Sequence, residues 1–301
     1  MNSPSILCLG AGDGWHSRQL QHAADALGCK LYFAEYESLQ STVRGKGCDA
    51  TCAAGPVRDF DVIFTRTMPA GSLEQVTFRL AVLHQLALEN KIALVNPPRA
   101  LEIAIDKFAT LAHVSELGYE VPDTIVTQSR EDALAAFHSL GGDCVIKPVF
   151  GGEGHGVMRV RDEELAWYTF STLQQLDAVI YVQKFIPPGG RDTRLLVIGD
   201  STVGVRRRND RDFRTNVGSG AEAELLQPTD QQQHAAVEIC KSIGLRFASV
   251  DFIDTENQNQ QVLEVNAIPG WKGAQAVVPE NIAEQIMQLL VAEAQCSGVE
   301  C

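Results

Sequence analysis

No unbroken apolar run reaches the roughly 18 residues that a bilayer span needs, so the 45% hydrophobic content of the chain points to folded interiors and not to a membrane. The first 14 residues have neither the basic start nor the small-residue cleavage site of a secretory leader. Eight cysteines are present, yet none forms a Cys-x-x-Cys pair. Cys48 and Cys52 are the nearest neighbours, and no histidine follows them at zinc-ligand spacing. Free thiols in a reducing compartment are therefore expected, and with nothing addressing the chain elsewhere, a cytoplasmic location. Positive charge is scarce: 25 Lys and Arg against 38 Asp and Glu leave a net charge of −13. Such a surface repels phosphate backbones and opposes broad nucleic-acid binding. Repeats, low-complexity tracts and long linkers are absent, as is any Ser-His-Asp or Cys-His arrangement that would supply a protein nucleophile.

What is present suits two or three packed lobes, since 301 residues exceed one small core. Strands and helices alternate through the first third. Strands are expected at 5–9, 30–35, 61–64 and 92–95, and helices at 16–27 and 73–89. This pattern predicts an open, mostly parallel α/β lobe ending at Pro97-Pro98. A helix over 101–117, closed by Gly118, leads into a small α+β lobe. There Val145-Ile-Lys-Pro148 and Val157-Met-Arg-Val160 bracket a glycine-rich loop. Strands dominate from residue 178, with helices near 231–243 and 282–292. The expected lobes are 1–97, 98–181 and 182–301, an α/β fold with α+β lobes.

Three groups of residues carry chemistry. The segments Ala248-Ser-Val-Asp251-Phe-Ile and Val262-Leu-Glu264-Val-Asn266 are apolar strands with isolated polar residues. A hairpin centred between residues 257 and 258 sets Asp251 opposite Glu264, with Asn266 on the same face. Two carboxylates and an amide oxygen suit Mg²⁺, which fills its shell with phosphate oxygens and water. Lys147 ends a β-branched run before Gly151-Gly-Glu-Gly-His-Gly156, a hairpin flap whose amides can approach phosphates. No Gly-Lys-Ser/Thr ends this loop, so it is not a Walker loop. The third group, Arg206-Arg-Arg to Asn216 with Gly218 and Gly220, reads either as a solvated basic loop or as an oxyanion clamp in a cleft. Focused positive charge on a chain of −13 favours the clamp.

Taken in order, these residues resemble the ATP-grasp superfamily, and within it the RimK-type α-L-glutamate ligases. The resemblance rests on Lys107, Lys147 with its glycine loop, Val182-Gln-Lys-Phe-Ile186, Asp192-Thr-Arg194, Arg206-Arg207, Asp212-Phe-Arg-Thr-Asn216, Asp251 and Leu263-Glu-Val-Asn-Ala-Ile-Pro-Gly270. It implies an ATP-grasp fold in which two α+β lobes clamp ATP behind an N-terminal α/β lobe. By that resemblance Lys107 and Lys147 contact phosphates, and Gly151, Gly152, Glu153, Gly154, His155 and Gly156 close over them. Gln183, Lys184, Phe185 and Ile186 form the hinge that reads adenine, with Asp192 and Arg194 in the same nucleotide site. Arg206 or Arg207 steadies the transferring phosphate, with Asn216 near it. Asp251, Glu264 and Asn266 hold Mg²⁺, with Mn²⁺ as the alternative. Lys184 stands where the family often has an acid, and Pro187-Pro188 replaces its ribose-contacting residue.

The implied reaction is ATP-dependent joining of an amino acid, glutamate first, to a carboxylate-bearing acceptor, either a small molecule or a protein C-terminus. The carboxylate is first phosphorylated, giving ADP, and the amine then displaces phosphate. The acceptor is expected near the mouth of the first lobe, around Arg66 and residues 11–15. Alternatives are another ATP-grasp ligation, such as glutamylation of a tetrahydromethanopterin-like cofactor or peptide ligation, and a nucleotide-binding protein with a dead site. More remote is a dinucleotide-dependent oxidoreductase, suggested by Gly10-Ala-Gly-Asp-Gly14 after a strand, although the third glycine comes one residue early. Neither nucleic acid nor membrane is an expected partner, and a homo-oligomer is compatible with the sequence.

Overall fold

The computed structural model describes residues 3–45, 47–88, 92–152, 154–216, 220–255 and 260–297. The first lobe contains β1 (Ser5–Leu9), α1 (Trp15–Leu27), β2 (Lys30–Ala34), β3 (Gln40–Arg44), β4 (Gly47–Cys52), β5 (Gly55–Pro56), β6 (Val62–Thr65), α2 (Leu73–Leu88) and β7 (Ala93–Val95). Strands β2-β1-β6-β7 form a parallel sheet. Its central strands are apolar on both faces because both are covered. Leu7, Leu9 and Ile63 pack with Leu83 and Leu86 of α2, while Ile6, Cys8 and Phe64 pack with Leu20 and Ala24 of α1. A three-stranded meander, β3-β4-β5, is appended to this lobe.

The expected helix over 101–117 is two helices, α3 (Pro98–Ile105) and α4 (Lys107–Glu116). Asp106 divides them because its side chain caps α4, accepting from the Phe108 and Ala109 amides. α3 packs on α2, α7 and β16, and α4 packs on β16.

The middle lobe has β8 (Thr124–Thr127), α5 (Arg130–Ser139), β9 (Cys144–Lys147), β10 (Met158–Val160), α6 (Glu163–Gln175) and β11 (Ile180–Lys184). Its antiparallel sheet runs β10-β9-β11-β8. Cys144, Ile146, Val160, Ile180 and Val182 face the helices, so alternation turns Val145, Lys147, Tyr181 and Gln183 to the other side. The expected lobe boundary at 181/182 falls inside β11, which stays in this sheet to Lys184.

The third sheet is antiparallel, in the order β14-β13-β12-β15-β16. It comprises β12 (Arg191–Ile198), β13 (Ser201–Arg208), β14 (Glu222–Leu225), β15 (Phe247–Asp254) and β16 (Gln260–Asn266), with α7 (Asp230–Ile243) between β14 and β15. Leu195, Val197, Val250 and Val265 meet Ala236 and Ile239 of α7 on one face. After α8 (Lys272–Gln275), the chain returns to the first lobe as α9 (Ile282–Ser297), which packs on α1, β6 and β7.

Asn96, just past β7, fastens the first lobe to the third sheet. Its buried side-chain amide donates to the Phe247 and Ala267 carbonyls at 2.7 and 3.0 Å. Its Oδ1 accepts from the Arg246 and Phe247 amides at 2.8 and 3.1 Å.

Candidate active site

A cavity open to solvent lies between the inner faces of the middle and third sheets.

The third sheet supplies the charged floor. Asp251 pairs with Glu264 across β15 and β16 and Ser249 with Asn266, in the register expected from hairpin symmetry. Past Asp251 the register shifts, Phe252 pairing with Val262 and leaving Leu263 as an extra residue on β16. A bulge re-aims side chains, and here Leu263, Glu264 and Ile253 all reach the cavity wall. Asn266 does not line that wall; its Oδ1 accepts from the Ile268 amide at 2.9 Å.

Asp251 sits in a buried charge network. Arg194 reaches both its oxygens at 2.7 Å, and Arg207 Nη2 reaches Oδ2 at 2.7 Å. Arg207 also holds Asp192, with Nε donating to Oδ1 at 2.7 Å, and the Thr215 hydroxyl donates to Asp192 as well. Burial pushes the Asp251 carboxyl up, but Arg194 and Arg207 together outweigh it and hold the group at about 2. Alternation along β13 separates the two arginines proposed from sequence: Arg207 lines the cavity and Arg206 does not. Arg194 acts from behind Asp251, off the cavity wall.

Glu264 is one-third exposed at its side chain, and Lys107 Nζ lies 3.8 Å from it. Among the described residues no three His, Cys, Asp or Glu side chains converge as a metal cluster. Two carboxylates facing a cavity are nonetheless the donor set a hard cation uses when phosphate and water complete its shell. Asp251 has a lone pair to spare after its three hydrogen bonds, since a carboxylate accepts about four.

The middle lobe supplies the roof. Lys147 is buried, with Nζ 5.5 Å from the centre of the Tyr181 ring. Burial pushes it down to about 8, with Glu264 opposing and Lys107 adding to the shift. Lys107, at the start of α4, donates to the Gly151 carbonyl at 2.5 Å and pins the loop between β9 and β10. Gly151, Gly152, Gly154 and His155 line the cavity and Gly156 does not, and Glu153 lies outside the described residues. Gly154 has φ +74°, and a Cβ there would stand 2.5 Å from Asn216 Oδ1. The loop is thus lowered onto Asn216, which also lines the cavity.

Gln183, Lys184, Phe185 and Ile186 form the back wall. The Lys184 and Phe185 amides donate to the Asp123 and Asp143 carbonyls at 2.9 and 3.0 Å. Arg159, held by Asp143, lies 3.3 Å from the Phe185 ring centre and fixes that ring. After Pro187-Pro188 the chain turns at Gly190, φ +66°, where a Cβ would meet the Asn209 carbonyl at 2.5 Å. This close approach ties the hinge to residues 209–216. Sequence reasoning did not single out Arg191 or, as individual contributors, Arg214 and Thr215, all of which line the cavity. The signal for two of them was their place in the Asp212 to Asn216 segment.

Two antiparallel lobes gripping a cavity, beside a parallel α/β lobe, define an ATP-grasp ligase fold. Solved structures agree: the chain aligns over 97% of its length, and 99% of the other chain, with the ATP-grasp ligase PsnB complexed with a precursor variant, Mg and ADP (TM-score 0.75, 21% identity). It aligns over 95%, and 99% of the other chain, with a RimK domain ATP-grasp protein of Sphaerobacter thermophilus (TM-score 0.72, 21% identity). Residues 104–290 match the RimK-like ATP-grasp domain, and the chain belongs to that family. Among named relatives, the tetrahydromethanopterin:α-L-glutamate ligase of Methanosarcina acetivorans is 28% identical, covering 92% of this chain and 95% of its own. The α-aminoadipate–LysW ligase LysX of Sulfurisphaera tokodaii is 31% identical, covering 76% and 80%. The protein is accordingly an enzyme of the ATP-dependent carboxylate–amine ligase class.

Proposed function

We propose that this ligase adds L-glutamate, or a closely related amino acid, to a carboxylate-bearing acceptor and releases ADP and phosphate. The observation that carries this reading is the meeting, around one cavity, of Lys107, Lys147, the 151–156 loop, the 183–186 hinge, Arg207 and the Asp251–Glu264 pair. The named relatives favour glutamate as the amine donor. A tetrahydromethanopterin-like acceptor is favoured over a protein one because that relative spans nearly the whole chain.

In this reading adenine lies between Phe185, Val145, Ile253 and Leu263. With the amides of 184 and 185 already engaged, the Ile186 amide and the hinge carbonyls read its edge. Lys107 and Lys147 hold the phosphates under the loop, whose glycine amides lie against them. The acceptor carboxylate attacks the γ-phosphorus as ADP leaves, and Arg207 faces the charge that builds on the transferring oxygens. The donor amine then attacks the acyl carbon and expels phosphate. Asp251 and Glu264 would hold Mg²⁺ or Mn²⁺, which neutralises phosphate charge when bound. Arg194 fixes Asp251 from off the cavity wall, whereas Asp192 fixes Arg207 and itself lines the nucleotide cavity. We take residues 185–190 as the link between the lid, 118–184, and the body. A cytoplasmic location fits the seven described cysteines, all free, and no described helix is long and apolar enough to cross a membrane.

The test is incubation with ATP, Mg²⁺, glutamate and a panel of acid acceptors, reading nucleotide products and product mass. ADP with a mass gain of one glutamyl residue is the expected result. AMP and pyrophosphate would overturn the acyl-phosphate route.

A further inference from the structure

The ring at the base end of the cavity is held by a closed circuit of three contacts, and no step of the reaction above uses it. Asp143, just before β9, accepts through its backbone carbonyl from the Phe185 amide at 3.0 Å. Its carboxylate accepts from Arg159 Nε at 2.7 Å and Nη2 at 2.5 Å, a bidentate pair. The Arg159 guanidinium carbon in turn lies 3.3 Å from the centre of the Phe185 ring, well inside the ~6 Å reach of a cation–π contact. Each of the three residues thus holds the other two.

The placement of the arginine follows from strand pairing. Arg159 belongs to β10, the strand by which the glycine loop returns, and its cross-strand partner is Val145, so the two side chains share the inner face of the sheet. Val145 and Phe185 line the cavity and Arg159 does not. Arg159 therefore bears on the cavity through the ring. From the body side the ring is confined as well. Its centre is 6.1 Å from that of Phe213, at 78° between the planes. A Cβ on Gly189 would stand 2.7 Å from Phe185 Cζ, so that position must stay open for the ring to lie where it does. Phe213 and Gly189 also line the cavity.

A plain surface ion pair is the competing account, because the Arg159 and Asp143 side chains are 25% and 37% exposed. Such a pair contributes little to stability, and it would leave nucleotide binding untouched. The contact with a cavity-lining ring separates the two accounts. We propose that Arg159 is a positioning residue for the nucleotide base: held by Asp143, it fixes the Phe185 ring as the wall on which the base rests. The assignment rests on the ligase reading above, which sets adenine against Phe185. It gives Arg159 no contact with the phosphates, so its effect is confined to ligands that carry a base.

The experiment titrates the full chain, by calorimetry, with the Mg²⁺ complexes of the non-hydrolysable β,γ-imido analogue of ATP and of inorganic tripolyphosphate, which has the phosphates without the base. Arg159→Met should weaken the nucleotide about tenfold and leave tripolyphosphate within about twofold. Arg159→Lys keeps a cation but loses the fork to Asp143, and should recover part of the loss. In a Phe185→Leu background Arg159→Met should cost nothing further, since the ring through which it acts is gone. Should Arg159→Met not fold, Asp143→Asn serves instead and should show the same base-dependent loss at smaller size. Equal losses for nucleotide and tripolyphosphate, full additivity with Phe185→Leu, or a lower unfolding midpoint with nucleotide affinity unchanged would each overturn the assignment. A wild type that does not bind the nucleotide would instead overturn the ligase reading.

Discussion

At the residue scale, Lys147 carries the clearest consequence. Its ammonium is destabilised by burial, whereas a phosphate beside it favours the charged form. Nucleotide binding should therefore take up a proton once the pH exceeds about 8. Affinity for ATP should be level below that value and fall by about tenfold per pH unit above it, since the charged form binds. Titration calorimetry in buffers of different ionisation enthalpy reads both the affinity and the proton uptake. Lys147→Arg should abolish the break, because a guanidinium stays charged throughout; an unchanged break in that variant would assign it to another group. Legibility from sequence was high at this scale where a residue type alone constrains the chemistry. Asp251, Glu264, Lys147 and Lys107 all reach the cavity. The network that pins Asp251 was not legible, since Asp192, Arg194 and Arg207 meet it only through pairing of β12 with both β13 and β15.

At the scale of elements, the alternation of β13 decides between two adjacent arginines. Arg207→Met should lower turnover by at least ~100-fold, through loss of charge facing the transferring phosphoryl group and release of Asp192 and Asp251 from their shared partner. Arg206→Met should stay within about threefold of the wild type, because a neighbour on a strand faces the other way. Steady-state kinetics at saturating ATP checks both, and equal losses would mean that β13 is twisted out of the register seen here. Hairpin symmetry was enough to read the pairing of Asp251 with Glu264, but it breaks at Leu263. A bulge adds a residue without any composition signal, so its effect on the cavity wall lay beyond the sequence. The meander Gln40–Pro56 was missed because β3 is exposed and mostly polar, and the stripe on β4, Cys48, Ala50 and Cys52, is made of small, half-buried residues that give only a weak periodic signal. The split of the helix at Asp106 was hidden for the opposite reason: apolar spacing continues across it, and only the cap interrupts.

At the scale of the molecule, the lobes are joined by buried polar contacts as well as by apolar packing. Asn96→Ala would leave two amides and two carbonyls of the third sheet without their partner. A cost of about 3 kcal/mol or more follows from buried groups left unmet. Denaturant unfolding should show the loss, with secondary structure by circular dichroism unchanged before the transition. A shift within about 0.5 kcal/mol would mean that the junction relaxes or admits water. The three-sheet plan was legible from the periodicity change near residue 98 and the strand-rich end. The packing of α3 and α4 onto β16 and α7 was not, because sequence order does not report packing partners.

The return of α9 to the first lobe also bears on biosynthesis. One face of the first lobe's sheet, lined by Ile6, Cys8 and Phe64, is closed in part by Ile282, Ile286, Met287 and Leu290, which are made much later. A nascent chain must hold that apolar face partly uncovered, or borrow a cover, until α9 has left the ribosome. Residues 1–97 expressed alone should behave as a sticky, incomplete sheet, and supplying 272–297 as a separate peptide should restore a soluble complex.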